Sequence, residues 1–343
     1  MGEVRLGIDV ACTAAHQASL ADEQGRFLWQ GWRFRTTTGD LEQLWAKIPD
    51  GVRVVVVMEP TRNAWAPLAA WLTARGAVVS VVPPEQSADL RDYYHKHTKT
   101  DRLDSKMLAR MPMLHPDGLR PIDHLGPVDP FKRAVRHRSS LQKRRVAAAM
   151  RLDALLELLG PAWLDLFGTT SYGKTAVAVL EGYANPNALV KLGRARLAKL
   201  LIRASRGHWR EAKADEILSA AHETLELWAT GELDFDQLAE DIAIEVRQIK
   251  TLDAEIAALD DRIEALYETV DPNGIISSTP GIGTVLAAGI LARTGDLNRF
   301  DSLAGLRSFT GLVPKVDQSG ITDHHNGRRS PAISLRQALF LRR

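Results

Sequence analysis

Short apolar runs, broken at regular intervals by polar and glycine positions, open the chain. Val4 to Val10 reads as a short strand, and His16 to Leu20 and Arg26 to Phe34 fit two more. Val52 to Met58 contains the run Val54-Val-Val-Val57, the mark of a strand buried on both faces. Ala64 to Arg75 then changes to helical spacing through Trp65, Leu68, Ala69 and Leu72, and stops at Gly76. Ala77 to Val82 is a further buried strand, closed by Pro83-Pro84. Strand, helix and strand in that order predict a βαβ unit with parallel pairing.

After Asp101 the period stays helical. Phe131 to Leu159 has helical composition and no internal Pro or Gly. Asp234 to Tyr267 predicts a long helix, with Ile249, Leu252, Ile256, Leu259, Ile263 and Leu266 alternating three and four apart. Ile242 extends that series by a heptad, and Glu245 interrupts it. Two readings of the seam stand side by side: a coiled coil that joins subunits, or a helical hairpin packed inside one. Asp271-Pro-Asn-Gly274 marks a linker into a last, glycine-rich region. The expected organisation is an α/β domain over 1–130, a basic helix with a helical and coiled-coil region over 131–270, and a small mainly α domain over 271–343.

Composition adds little until charge is placed along the chain. The 343 residues are 45% hydrophobic and 25% charged, with a formal net charge of +2, as an ordinary globular protein would be. No apolar run approaches the ~20 residues that span a bilayer. The single cysteine, Cys12, excludes an internal disulfide or a thiolate metal cluster, and fits a reducing cytoplasm. The small net charge hides segregation. Lys132, Arg133, Arg136, Arg138, Lys143, Arg144, Arg145 and Arg151 fall in twenty residues without one acid, whereas Glu211 to Asp271 is predominantly acidic. Solvated helix faces normally mix both signs, so the basic run points to phosphates, whose neutralisation releases counterions. Tyr93, Tyr94, His95, Lys96 and His97 would add stacking and phosphate contacts.

The candidate chemistry lies in acids. Asp9 ends the first strand in Gly7-Ile-Asp-Val10, and Glu59 follows the four valines and Met58. Asp101 and Asp104 sit in Lys99-Thr-Asp-Arg-Leu-Asp104, where a helix starting near Asp101 puts both on one face. Any one alone would ordinarily be a turn or N-cap residue. Together they are hard oxygen donors at strand ends, where an α/β fold places a site, and they suit Mg²⁺ or Mn²⁺. The arrangement resembles the ribonuclease-H-like (RuvC-like) fold. The phrases Gly7-Ile-Asp-Val10, Met58-Glu-Pro-Thr61 and Lys99-Thr-Asp-Arg-Leu-Asp104 resemble the insertion-sequence-110 family of DEDD transposases, whose four acids fall on Asp9, Glu59, Asp101 and Asp104.

Toward the other end, Ser278-Thr-Pro-Gly-Ile-Gly283 reads as half of a helix-hairpin-helix, with Gly281 and Gly283 letting backbone approach a phosphate. A plain glycine turn between helices is the alternative. Leu312-Val-Pro-Lys-Val-Asp-Gln-Ser-Gly320 resembles the second domain of the same family, whose nucleophilic serine falls on Ser319. Taken alone, such a Ser-Gly pair is a turn. The family's second glycine is missing after Gly320, where Ile321 stands. The chain stops at Leu341-Arg-Arg343, inside what reads as a helix that family members continue, as a trimmed or shortened copy would. Gly168-Thr-Thr-Ser-Tyr-Gly-Lys-Thr175 fits the P-loop pattern letter for letter, but no buried strand precedes it, so it reads as a chance match.

The resemblance implies a DNA transposase or recombinase that forms a covalent phosphoserine link through Ser319, supported by the carboxylate-bound metals. It also implies DNA and a structured noncoding guide RNA as partners, and a homo-oligomer of two or four subunits. Two other readings use the same residues. A junction-resolving nuclease would cut with metal-activated water, and a nucleic-acid-binding remnant would not cut at all.

Overall fold

A computed structural model of the chain describes residues 2–83, 87, 101–114, 116, 119, 121–122, 129–168, 172–295, 297, 300–310, 317–319 and 322–324, the last two segments as backbone only. The chain divides into two compact units, Met1–Pro130 and Phe131–Arg343.

The first unit is built on a mixed sheet. Strands β1 (Glu3–Asp9), β2 (His16–Asp22) and β3 (Phe27–Phe34) form an antiparallel meander, while β4 (Arg53–Glu59) and β5 (Val78–Val81) run parallel to β1. The sheet order is β3-β2-β1-β4-β5. Period-two alternation sorts the residues of β1 and β4 between two faces. Val4, Leu6, Ile8, Val54, Val56 and Met58 point into one core, shared with helices α1 (Thr38–Trp45) and α2 (Trp65–Thr73). The β4-α2-β5 segment is the βαβ unit that the apolar runs predict. Helix α1 is an addition to the predicted elements. It is only eight residues long, starts where Thr37 accepts the Asp40 N–H at 3.3 Å, and buries Leu41 and Leu44.

The other face of the sheet is covered by α3 (Asp101–Leu114). Val57 of β4 packs there with Leu108 and Met111. Helices on both faces explain why β4 is apolar from Val54 to Met58.

The described part of the second unit is helical, apart from one short hairpin. Helices α4 (Pro130–Glu157), α5 (Pro161–Phe167), α6 (Lys174–Tyr183), α7 (Pro186–Leu192), α8 (Arg194–Ala204), α9 (Glu211–Leu227) and α10 (Phe235–Val270) share one core. Trp163 is completely buried in it, and its indole N–H donates to Thr224 Oγ1 at 2.9 Å. The heptad seam of α10 faces this same core: Ile249 and Ile263 are buried to within 1% of full, and Leu252, Ile256 and Leu259 to within 9%. The hairpin reading of the seam therefore holds, and the coiled-coil reading does not, because the apolar stripe is consumed inside the chain. Helices α11 (Thr284–Thr294) and α12 (Leu303–Phe309) follow, then the antiparallel pair β6 (Asp317–Ser319) and β7 (Thr322–His324).

A candidate carboxylate site at one edge of the sheet

Register decides the first two acids. Asp9 and Glu59 are direct partners across the parallel β1–β4 pair, so their side chains leave the same face of the sheet at the same edge. Asp9 shares its face with Gly7, and Glu59 shares its face with Val57, two residues back along each strand. That is the face under α3.

Gly7 explains how α3 is placed. A Cβ at Gly7 would lie 2.1 Å from the Ser105 carbonyl oxygen and 2.2 Å from the Ala109 nitrogen. The helix backbone thus rests directly on β1, which only glycine permits. Ser105 is fully buried, and its hydroxyl lies 2.9 Å from that of Ser19, the residue paired with Gly7 on β2. At the far end, Met113 touches Gly25, just beyond the Asp22 that pairs with Val4 near the start of β1. α3 therefore runs antiparallel to β1, and its first turn, with Asp101 and Asp104, lies toward the Asp9 end. Asp104 is half-buried and Asp101 exposed.

Three hydrogen bonds steady this edge. Ser87 Oγ donates to Glu59 Oε2 at 2.5 Å. The Ala11 N–H donates to His16 Nδ1 at 3.1 Å, and His16 Nε2 lies 2.7 Å from Thr36 Oγ1. His16 thereby ties the turn after Asp9 to β2 and β3. Burial pushes its imidazole below the ordinary value, which favours the neutral ring that can accept the Ala11 N–H. Sequence reasoning overlooked Gly7, Ser19, Ser105, His16 and Ser87. The only signal for them was the glycine inside an otherwise apolar strand, a known sign of close backbone approach.

The four acids share one face and one edge without closing on one point. Among the described residues, no three His, Cys, Asp or Glu side chains converge as metal ligands would. The donors are nonetheless all carboxylate oxygens, the chemistry that a hard divalent cation takes.

The basic helix is sorted by its period. Arg138 and Arg145 lie on the same stripe of α4 as the buried Leu141, Ala148 and Leu152. Each makes a two-pronged bond to α10: Arg138 to Asp260 at 2.5 and 3.3 Å, and Arg145 to Asp253 at 2.5 and 3.3 Å. Arg151 reaches Glu245 at 2.9 Å. Arg138 and Arg145, expected to face nucleic acid, instead hold two antiparallel helices together. Arg133, Arg136, Lys143 and Arg144 are exposed, and Lys132 is half-buried near Gly295.

Gly281 adopts φ +86°, and Gly283 is the N-cap of α11, so a helix does follow the glycine pair. Ser319 ends β6 opposite Thr322, the closing pair of the hairpin. The P-loop match begins after helix α5 instead of a strand, and so lacks the context that motif needs. Residues 93–97 lie outside the described residues, as do 320–321. Among the described residues no helix is long and apolar enough to cross a membrane.

An α/β unit with carboxylates at one sheet edge, followed by a helical unit, is compatible with a DEDD nuclease-like fold. Comparison with known proteins is specific. A DEDD transposase model of IS110 type, described as a transposase, matches residues 6–161, and the transposase model of the IS116/IS110/IS902 family matches residues 273–341. The IS110 insertion-element 43.6 kDa protein of Streptomyces coelicolor is 28% identical over 98% of this chain and 82% of its own length. The IS116 protein of Streptomyces clavuligerus is 32% identical over 74% of this chain and 62% of its own length. The IS900 protein of Mycobacterium paratuberculosis is 27% identical over 92% and 78%. The chain belongs to the IS110 family of transposases, enzymes of DNA recombination. A DEDD set implies use of a divalent metal.

Proposed function

We propose that this transposase cleaves and rejoins DNA strands with Ser319 as nucleophile and with Asp9, Glu59, Asp101 and Asp104 holding Mg²⁺ or Mn²⁺. The observation that carries this is the placement of Asp9 beside Glu59 on the sheet face that α3 covers, with Asp101 and Asp104 on the nearer end of α3. Acids on a first strand, a later strand and a helix are also the arrangement of a ribonuclease-H-like fold. When bound, the metal supplies charge stabilisation to the pentavalent phosphorus and its leaving oxygen. Ser319 Oγ forms a bond to phosphorus as a DNA P–O bond breaks. The serine proton passes to solvent base, and the departing sugar oxygen takes up a proton. A hydroxyl is a weak nucleophile, so the step depends on a base or metal near Ser319. A structured RNA carried with the element is the partner that would choose the DNA. Self-association into two or four subunits would bring Ser319 and the carboxylates together. It must use a surface other than the α10 seam, which is already buried.

The test is a trapping experiment on the full chain with its RNA, end-labelled DNA and Mg²⁺. A covalent protein–DNA adduct on a denaturing gel is expected, absent in Ser319→Ala and in Asp9→Asn. Strand exchange at full rate by Ser319→Ala would overturn the serine mechanism in favour of cutting by water. Cleavage that survives Asp9→Asn and Asp104→Asn together would overturn the carboxylate assignment.

A further inference from the structure

A groove between α4 and α10 carries positive charge that the helix pairing leaves over. Its walls are two helical stripes: Arg144, Ala147 and Arg151 from α4, and Ile244, Arg247, Gln248, Thr251 and Leu252 from α10, around a cavity of about 510 Å³. The spacings are i, i+3, i+7 on one helix and i, i+3, i+4, i+7, i+8 on the other, so each set is a single face. Three arginines and no acid line the opening. Arg151 is held in place by Glu245 at 2.9 Å and Gln248 at 3.2 Å. Arg144 and Arg247 are exposed, and among the described residues neither guanidinium meets a carboxylate. The neighbouring arginines 138 and 145 on α4 are already matched to Asp260 and Asp253. Arg144 and Arg247 are thus a surplus over what joins the helices, whereas Arg151 is matched to Glu245.

We infer that this groove grips one nucleic-acid strand by its phosphodiester backbone, with Arg144 and Arg247 as the phosphate-binding groups and Arg151, its charge offset by Glu245, as a fixed part of the wall. The inference rests on the transposase reading above and names where that enzyme holds a strand. A guanidinium presents a planar fork of donors that matches a phosphate, which a surface lysine does not. Seven residues of helix span roughly 10 Å, room for a short stretch of extended backbone with a phosphate for each of Arg144 and Arg247. Thr251 and Gln248 add neutral donors beside them. Ala147, Ile244 and Leu252 give an apolar wall for sugars. None of these groups reads a base edge or requires a 2′-hydroxyl, so DNA and RNA strands bind alike.

The experiment is fluorescence anisotropy of the full chain with labelled single-stranded 20-mers of DNA and RNA, titrated at several salt concentrations. The double variant Arg144→Ala/Arg247→Ala is expected to weaken binding of both strands. It should also flatten the slope of log K against log salt by about 1.4, at roughly 0.7 for each phosphate no longer neutralised. Arg196→Ala/Arg203→Ala removes the same charge from exposed positions of α8 and is expected to leave the slope unchanged. Equal effects of the two doubles would overturn the groove in favour of general charge, and so would no effect of the first. A change in oligomeric state on light scattering with unchanged binding would overturn it in favour of a protein interface. Failure of the unaltered chain to bind either strand would overturn the transposase reading as well, which separates the two failures.

Discussion

The two units use charge in opposite ways. In the first, acids from three separate stretches of the sequence are carried to one edge by strand register and by a helix laid on a glycine. In the second, a compact block of cations is taken apart by helical period: Arg138, Arg145 and Arg151 turn to acids on α10, while Arg133, Arg136, Lys143 and Arg144 remain exposed. Dispersed charge became a candidate site, and clustered charge became partly structure, with three of its eight cations paired to acids. Density of charge along a sequence is therefore a weaker guide than where the backbone directs each residue.

The sharpest way to break this contrast is at Gly7. A Cβ there collides with the backbone of α3 at Ser105 and Ala109, which cannot swing aside as a side chain would. Gly7→Val should destabilise the first unit by about 3 kcal/mol or more and displace the turn bearing Asp104. Thermal unfolding and strand-transfer assays should both register it. A variant with unchanged melting and activity would mean that α3 is not fixed by this packing.

The next effect concerns the helix pair. Arg145 is 15% exposed and also donates to the Tyr172 carbonyl at 3.1 Å, whereas Arg151 is 51% exposed. Arg145→Met should cost about 2 kcal/mol, since it leaves a partly covered carboxylate and a carbonyl without their donor. Arg151→Met should cost less than about 1 kcal/mol because solvent screens the pair. Chemical denaturation measures both. A reversed order would mean that exposure does not govern the ladder.

The smallest effect is in pH. His16 has a depressed folded value, so protonation favours the unfolded state. Its contribution is complete above the ordinary value of 6.5 and is lost as pH falls below it toward the folded value. The stability of the chain should fall there by at most about 1.4 kcal/mol per pH unit, a slope that His16→Gln reduces. An unchanged slope in that variant would remove His16 from the account.

The sequence by itself determined the strands of the sheet, the parallel βαβ step and the two long helices, because apolar period is a local property of the chain. Its wording also carried the family: the phrases around Asp9, Glu59 and Asp101 are short, contiguous and chemically specific. It could not determine which face each acid leaves, since that depends on the register between β1 and β4 and on the packing of α3 against Gly7. Nor could it choose between a coiled coil and a hairpin for α10. The same heptad suits either, and only the core of the second unit decided it by burying Ile249, Ile256 and Ile263 within one chain. Period fixes which residues share a stripe; only tertiary packing fixes what that stripe meets.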